Sequence, residues 1–347
     1  TFPGLANLVT QLPLTSALAK RIAGISPDAK LPAFAPRTFR RELARRGLRV
    51  RSGRRVVLWA DTFNEHFFPD TLLAAVDVLE AAGYEVVVPP AGLCCGRPLY
   101  DFGLLDDARS YLERVLRGLR RELEERLPIV VLEPSCASTF KEELFNLLPE
   151  RSDVVALRDR TMLLSELLSN EARHWAPPRL SRRAIVQGHC HQKAIFGLDS
   201  ERKVLEAMGV DHEVLSAGCC GMAGAFGFVE ATREVGLACG ERALLPRVRS
   251  EPDPTFIVAN GLSCREQIAQ GTARGALHLA EVIKIALDHG ATGPSGPQPE
   301  SLVLARRRAR VRRSMQRAAF GLGAVFALGA LFVARRLRRR RRRAFGV

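Results

Sequence analysis

The 347-residue sequence contains no Gly-x-Ser-x-Gly turn, no Gly-Lys-Ser/Thr phosphate loop and no His-Glu-x-x-His pair. It therefore offers no serine nucleophile elbow, no P-loop nucleotide cradle and no zincin helix. Cys-x2-Cys pairs, the usual ligand spacing of structural zinc, are also missing. No N-terminal stretch has the charged, then apolar, then small-residue layout of a signal peptide. The first residue is Thr1 rather than Met, which raises the expectation of further polypeptide upstream. Hydrophobic residues make up 47% and charged residues 26%, so wholesale disorder, a collagen-like fibre and a polytopic membrane protein are excluded.

What the chain does have is eight cysteines and a net charge of +15. Eight thiols in a chain of this length are too sparse for a disulfide-stapled scaffold and read as metal ligands or redox groups. The charge is concentrated in the tail: residues 301–347 hold 15 Arg and no Lys, Asp or Glu, leaving 37 basic and 37 acidic residues in 1–300. The body thus gives no net-charge case for specific nucleic-acid binding. Within the tail, Ala318–Ala334 runs seventeen residues without a charge. As a helix it would be about 25 Å long, short of a ~30 Å hydrocarbon core, with flanking arginines able to snorkel. The eight arginines within 335–343 favour a cytoplasmic C-terminus. The expectation is a cytoplasmic protein held at the inner face of a membrane by a helix over 318–334, against the alternative of a disordered basic extension.

Hydrophobic periodicity predicts an α/β protein of two pseudo-repeated units with mostly parallel sheets. Residues 1–55 form a helical lead-in. The first unit, 56–170, has strands at Val56–Ala60, Tyr84–Pro89, Ile129–Glu133 and Val154–Leu157, and helices at Asp70–Ala82, Leu104–Arg126 and Thr161–Leu168. A linker covers 171–183. The second unit, 184–290, has strands at Ala184–Gln187, Glu213–Ser216 and Phe256–Ala259, and helices at Ser200–Met208 and Val229–Leu245. Linker and Arg-rich tail occupy 291–347. The repeat is marked by cysteine: Cys94-Cys95-Gly96 precedes Cys136 much as Cys219-Cys220-Gly221 precedes Cys264.

Cys190, Cys219, Cys220 and Cys264 each follow an apolar strand, and ligands of parallel sheets gather beyond the strands' carboxyl ends. Four convergent thiolates form a soft site that selects an iron–sulfur cluster or zinc; buried free cysteines are the bland alternative. Gly218, Gly221, Gly224 and Gly227 would let backbone N–H groups approach cluster sulfides. Cys239 reads as a helix core residue. His189 and His191 flank Cys190 and either tune that site, meet a partner or serve as structural histidines, whereas His66, His174, His212, His278 and His289 fit no catalytic constellation.

Gly92-Leu93-Cys94-Cys95-Gly96 and Gly218-Cys219-Cys220-Gly221-Met222-Ala223-Gly224, with His189-Cys190 and Ser263-Cys264, resemble the duplicated cysteine-rich CCG domain. That domain occurs in heterodisulfide reductase and in the iron–sulfur component of glycolate oxidase. The resemblance covers roughly residues 5–285 and is closest to the C-terminal part of fused FAD-linked oxidase/iron–sulfur proteins. It implies that Cys190, Cys219, Cys220 and Cys264 bind a [4Fe–4S] cluster. The first half departs from the pattern, because Asp61-Thr62 stands where a strand-end cysteine is due. Cys94, Cys95 and Cys136 would hold a second cluster with a non-cysteine ligand, a zinc with Asp61 or His66, or nothing.

The resemblance further implies an electron-transfer module of an oxidoreductase that is incomplete by itself. FAD sits on an upstream or partner dehydrogenase domain, a ferredoxin-type iron–sulfur segment accompanies it, and electrons pass to a quinone or cytochrome. The substrate of the assembly would be a 2-hydroxy acid such as D-lactate or glycolate. Two other readings remain open: a zinc-stabilised binding or scaffold protein, and a disulfide reductase-like enzyme. The solitary last cysteine of each half, where heterodisulfide reductase has Cys-x-x-Cys, argues against the latter.

Overall fold

The computed structural model describes residues 2–49, 52–172, 174–296 and 298–344, with the backbone alone from 325 onward. The described strands form two wholly parallel sheets. In the first half β1 (Arg54–Trp59), β2 (Tyr84–Val87), β3 (Ile129–Val131) and β4 (Thr161–Leu163) take the order β2-β1-β3-β4. In the second, β5 (Arg183–Val186), β6 (Asp211–Val214) and β7 (Phe256–Val258) take the order β6-β5-β7. The figure is repeated: β2-β1-β3 matches β6-β5-β7, and the place of β4 is held by a single parallel bridge between Val258 and Leu277. The chain is thus the anticipated pair of α/β units with a helical lead-in and a helical tail.

Strand alternation divides the apolar residues among three cores. Val56 and Leu58 of β1 and Val130 of β3 face a central core that also takes Ala184, Val186, Phe256 and Val258 from the other sheet. Val57, Trp59, Ile129 and Val131 point the other way into a core whose buried residues all come from the first half, as Ile185 and Ile257 do in the second. Covered on both faces, these strands read as continuous apolar runs. The halves also exchange helices. Pro69–Ala81 of the first packs on Leu279–His289 of the second, and Asp199–Met208 packs on the 164–171 segment of the first. Matching caps mark the repeat: Leu163 N donates to Glu166 Oε2 at 2.8 Å, and His278 N donates to Glu281 Oε2 at 2.9 Å.

Several local expectations are corrected. The segment Val154–Leu157 is helical, within Ser152–Arg160; its buried residues Val154 and Leu157 are three apart and share one helix face. The strand falls instead at Thr161–Leu163, where a helix was anticipated, because that stretch adds to β3 in the register Ile129↔Thr161. The long helix over 104–126 breaks at Leu119 into Leu105–Gly118 and Arg120–Glu124, and that over 229–245 divides into Arg233–Glu241 and Leu244–Ser250.

The tail is neither a disordered extension nor a membrane span. Ser301–Ala344 is one 44-residue helix. Its entry is fixed by a buried pair, Arg274 Nε to Glu300 Oε1 at 2.6 Å. Arg307 then reaches Asp70 Oδ2 at 3.2 Å, Thr71 Oγ1 at 3.3 Å and the Glu281 carboxylate, with its guanidinium over the Phe68 ring. The lead-in helix Pro3–Gln11 packs along the same tail helix, so closely at Gly4 that an added Cβ would lie 2.8 Å from the Ser314 carbonyl. Among the described residues no helix is long and apolar enough to cross a membrane, which overturns the expected span at 318–334 and the membrane-face placement drawn from it. Seventeen uncharged residues fall short of the ~20 that a spanning helix needs. Side chains from 325 onward lie outside the described residues.

Candidate functional site

Seven of the eight cysteines collect beyond the carboxyl ends of the strands. Cys94 and Cys95 lie in the loop after β2, and Cys136 lies in the helix Pro134–Ser138 after β3. Cys190 begins a helical turn after β5, Cys219 and Cys220 follow β6, and Cys264 sits in the helix Leu262–Gly271 after β7. The fold gathers these thiols into two sites, one per half. Cys239 stands apart from both on the helix Arg233–Glu241, half-buried.

At the second site the thiols touch in a row, Cys190–Cys219–Cys220–Cys264. Hydrogen bonds from Cys190 and then Cys220 draw the Cys219 thiol far below its ordinary pKa, helped by the Gly221 N–H at 3.4 Å. Its neighbours move oppositely: Cys190 is raised by its bond to Cys219 and by burial, and Cys220 by its bonds to Cys219 and Cys264. The cluster therefore holds negative charge on Cys219, its exposed member, while Cys220 and Cys264 are buried. The row does not yet surround a point: among the described residues no group of three or more His, Cys, Asp or Glu is disposed to hold a metal ion. The donor set itself fits a soft metal or cluster: four sulfurs, three of them, Cys190, Cys219 and Cys220, hydrogen-bonded by the backbone N–H groups of His191, Gly221 and Met222.

Of the four glycines assigned to sulfide approach, Gly221 alone directs its N–H at a cysteine sulfur. Its φ of +86° and lack of Cβ serve a second purpose, since a Cβ there would fall 1.9 Å from the Gly236 carbonyl and 2.9 Å from Cys239 Cβ. Gly227 N donates to Met222 O at 2.7 Å, Gly224 N lies 3.5 Å from Ser263 Oγ, and no heavy atom lies within 4 Å of where a Gly218 Cβ would stand.

The first site has a different chemistry. Its thiols donate in the sequence Cys94 to Cys95 to Cys136, and the last two sulfurs are 3.0 Å apart. All three thiols are held above their ordinary pKa. Cys94 is raised by its bond to Cys95 and by burial. Cys136, although drawn down by Cys95, is pushed up to about 11 by burial and by Asp61 and Glu133. Asp61 occupies the position of the absent cysteine, but its carboxylate accepts from Asn64 N at 3.0 Å and Asn64 Nδ2 at 2.7 Å, capping the helix Thr62–His66. Burial and Glu133 raise its pKa to about 6. His66 is exposed. With the Asp61 carboxylate committed to Asn64, the described groups at the first site offer three thiols and no fourth ligand disposed to complete a metal centre.

Between the sites lie two groups that sequence reasoning missed, Glu133 and Arg97, beside the two histidines it named, His189 and His191. Glu133, 2% exposed, accepts from Ser135 Oγ at 2.6 Å and, across the halves, from Leu262 N at 2.8 Å. Arg97, directly after the first Cys-Cys-Gly turn, pairs with Asp101 at 2.9 Å and with Glu143, and approaches His191 Nε2 at 3.0 Å. Burial and Arg97 lower His191 to a pKa of about 4. His189 is buried with Nδ1 accepting from His191 N at 3.2 Å and 4.0 Å from Cys190 Sγ, and it fills the space that a Cβ on Gly261 would take. The signal for Glu133 was present: Pro134 at a helix start makes the preceding residue a cap.

Comparison with known proteins locates this arrangement. Residues 61–141, which span both the Asp61 position and all three first-site cysteines, match the family described as Cysteine-rich domain, CCG. That segment is matched to the cysteine-rich CCG domain. Lactate utilization protein A 2 of Bacillus cereus is 28% identical over 182 residues, 50% of this chain and 73% of the relative. Lactate utilization protein A 1 of Bacillus anthracis is 27% identical over the same length. D-2-hydroxyglutarate dehydrogenase of Pseudomonas putida is 24% identical over 232 residues, 66% of this chain but only 22% of that longer protein. The half bearing Cys190, Cys219, Cys220 and Cys264 repeats the strand order of the CCG-matched half, with its own Cys-Cys-Gly turn after the corresponding strand.

Proposed function

We propose that this chain is the iron–sulfur electron-transfer part of a 2-hydroxy-acid oxidising system, with one [4Fe–4S] cluster held by Cys190, Cys219, Cys220 and Cys264. The observation that carries the proposal is the meeting of four thiols from three strand ends, with one already favoured as thiolate. The relatives named for lactate utilization and for D-2-hydroxyglutarate dehydrogenase support the substrate class of the assembly. When bound, the cluster would supply one-electron acceptance and release.

The chain's own residues do the rest. Buried Cys220 and Cys264 anchor the inner side, and exposed Cys219 opens the site toward an electron-donating partner. The Gly221 N–H directed at Cys219 stabilises negative charge on sulfur. His189 lies against Cys190 and excludes water from its buried side. Hydride removal from the hydroxy acid belongs to an FAD-linked dehydrogenase domain or subunit, with a ferredoxin-type segment between and a quinone or cytochrome as final acceptor. The test is anaerobic purification with iron, zinc and acid-labile sulfide analysis and EPR in both redox states. Iron and sulfide in equal amounts with a reducible signal support the reading; colourless protein with zinc and no sulfide overturns it.

A further inference from the structure

The first cysteine site falls short of a metal centre in a specific way. Cys95 and Cys136 are 3% and 6% exposed, and their sulfurs stand 3.0 Å apart, about 1 Å more than a disulfide bond. Asp61, which replaces the fourth thiol, has both carboxylate oxygens engaged by Asn64. Cys95 lies in an irregular loop, and Cys136 in a five-residue helix that leads into the π-turn Thr139–Glu143.

We propose that Cys95 and Cys136 are a reversible dithiol–disulfide pair, a modification site for peroxide, and not ligands of a second metal. Both thiols rest protonated, so the step begins with loss of a proton from one of them; the thiolate formed attacks the peroxide O–O bond, giving a sulfenic acid and, with that proton, the first water. The second thiol attacks that sulfur, the S–O bond breaks and a second water leaves. Two sulfurs are oxidised by two electrons in all, two peroxide oxygens are reduced, and both thiol protons end in water. A dithiol reductant reverses the change through a mixed disulfide. Cys94, hydrogen-bonded to Cys95 and half-buried, stays reduced, because a vicinal Cys94–Cys95 bond would close a strained small ring. The inference is independent of the cluster at the second site.

The test uses the full chain, purified anaerobically, freed of loosely bound metal and treated with one equivalent of hydrogen peroxide before alkylation and peptide mapping. The expected product is a cross-link between the peptide holding Cys94-Cys95 and the peptide holding Cys136, with loss of two hydrogen atoms and recovery of both thiols on reduction. Cys94→Ser keeps the cross-link and Cys136→Ser abolishes it. Alkylation of Cys95 and Cys136 in the peroxide-treated wild type overturns the proposal without recourse to any variant. So does zinc or iron content that drops by one site's worth in Cys95→Ser, a residue outside the second site.

Discussion

The Glu133 carboxylate accepts a hydrogen bond from the Leu262 backbone N–H at 2.8 Å, from one half of the molecule to the other. Its other oxygen accepts from Ser135 N and Oγ. One buried carboxylate thus caps both the helix that carries Cys136 and the helix that carries Cys264. Each cap is worth about 1 kcal/mol, and leaving its donors unmet inside the protein adds to the loss.

Glu133→Ala should therefore destabilise the chain by about 2–4 kcal/mol in urea unfolding. Glu133→Gln keeps an acceptor and should lose less. If iron is bound at the second site, removing this negative charge should also shift its midpoint potential upward. Equal stability of Glu133→Ala and wild type would show that the two helices are positioned by packing alone.

The tail gives a second prediction. Arg307 is enclosed by Asp70, Glu281 and Phe68, and so ties the helix Pro69–Ala81 of the first half to Leu279–His289 of the second. Arg307→Ala leaves Glu281 with Arg265 as its described cation and with the hydrogen bonds from Thr71 and His278, and should cost about 2–3 kcal/mol, below the full loss for a buried pair because those bonds remain and Arg310 still reaches Asp70. Arg308→Ala, at an exposed position of the same helix, should change stability by less than about 0.5 kcal/mol. Equal thermal shifts for the two variants would remove the clamp from the account.

The contrast between Cys219 and Cys239 tests the ligand set. Cys219 is bonded by two neighbouring thiols and a backbone N–H, whereas Cys239 meets the Cys-Cys-Gly turn only through packing near Gly221. Cys219→Ser should abolish or strongly alter any iron–sulfur EPR signal, and Cys239→Ser should retain it with iron content within experimental scatter. A Cys239→Ser protein devoid of iron would move the site toward the Arg233–Glu241 helix.

The parallel strands were legible because both faces are covered, so Val56–Trp59 and Phe256–Val258 stand out as apolar runs. The cysteine groupings followed from strand ends. Val154–Leu157 misled because β-branched residues at a helix start resemble a short strand until the i,i+3 burial is seen. The docking of the tail was hidden for a different reason. Nothing local distinguishes Arg307 from Arg308; what buries the first is Asp70 and Glu281, hundreds of residues and tens of residues away in sequence. Glu133 likewise acquires its second role from Leu262, a partner that only the pairing of the halves supplies.

Glu201 supplies a pH prediction. It is 2% exposed, and its Oε2 accepts from Gln192 Nε2 at 2.7 Å and Asn260 Nδ2 at 3.0 Å. Burial, only partly offset by those bonds, raises its pKa to about 7 from an ordinary 4.5. Glu201 Oε1 and Gln192 Oε1 are both buried without a hydrogen-bond partner among the described residues, and a proton on the carboxyl supplies the donor that such acceptors lack. The folded chain therefore holds this proton more tightly than the unfolded chain. The sign follows: the stabilisation is complete below pH 4.5 and is lost as pH rises through 7. Glu201→Gln, which carries a permanent N–H donor and no charge, should match wild type near pH 4 and exceed it at pH 8 by on the order of 3 kcal/mol. The measurement is urea unfolding of both proteins across pH 4–8. A difference that stays flat through that range would mean Glu201 is ionised in the folded state throughout, held by Gln192 and Asn260 alone.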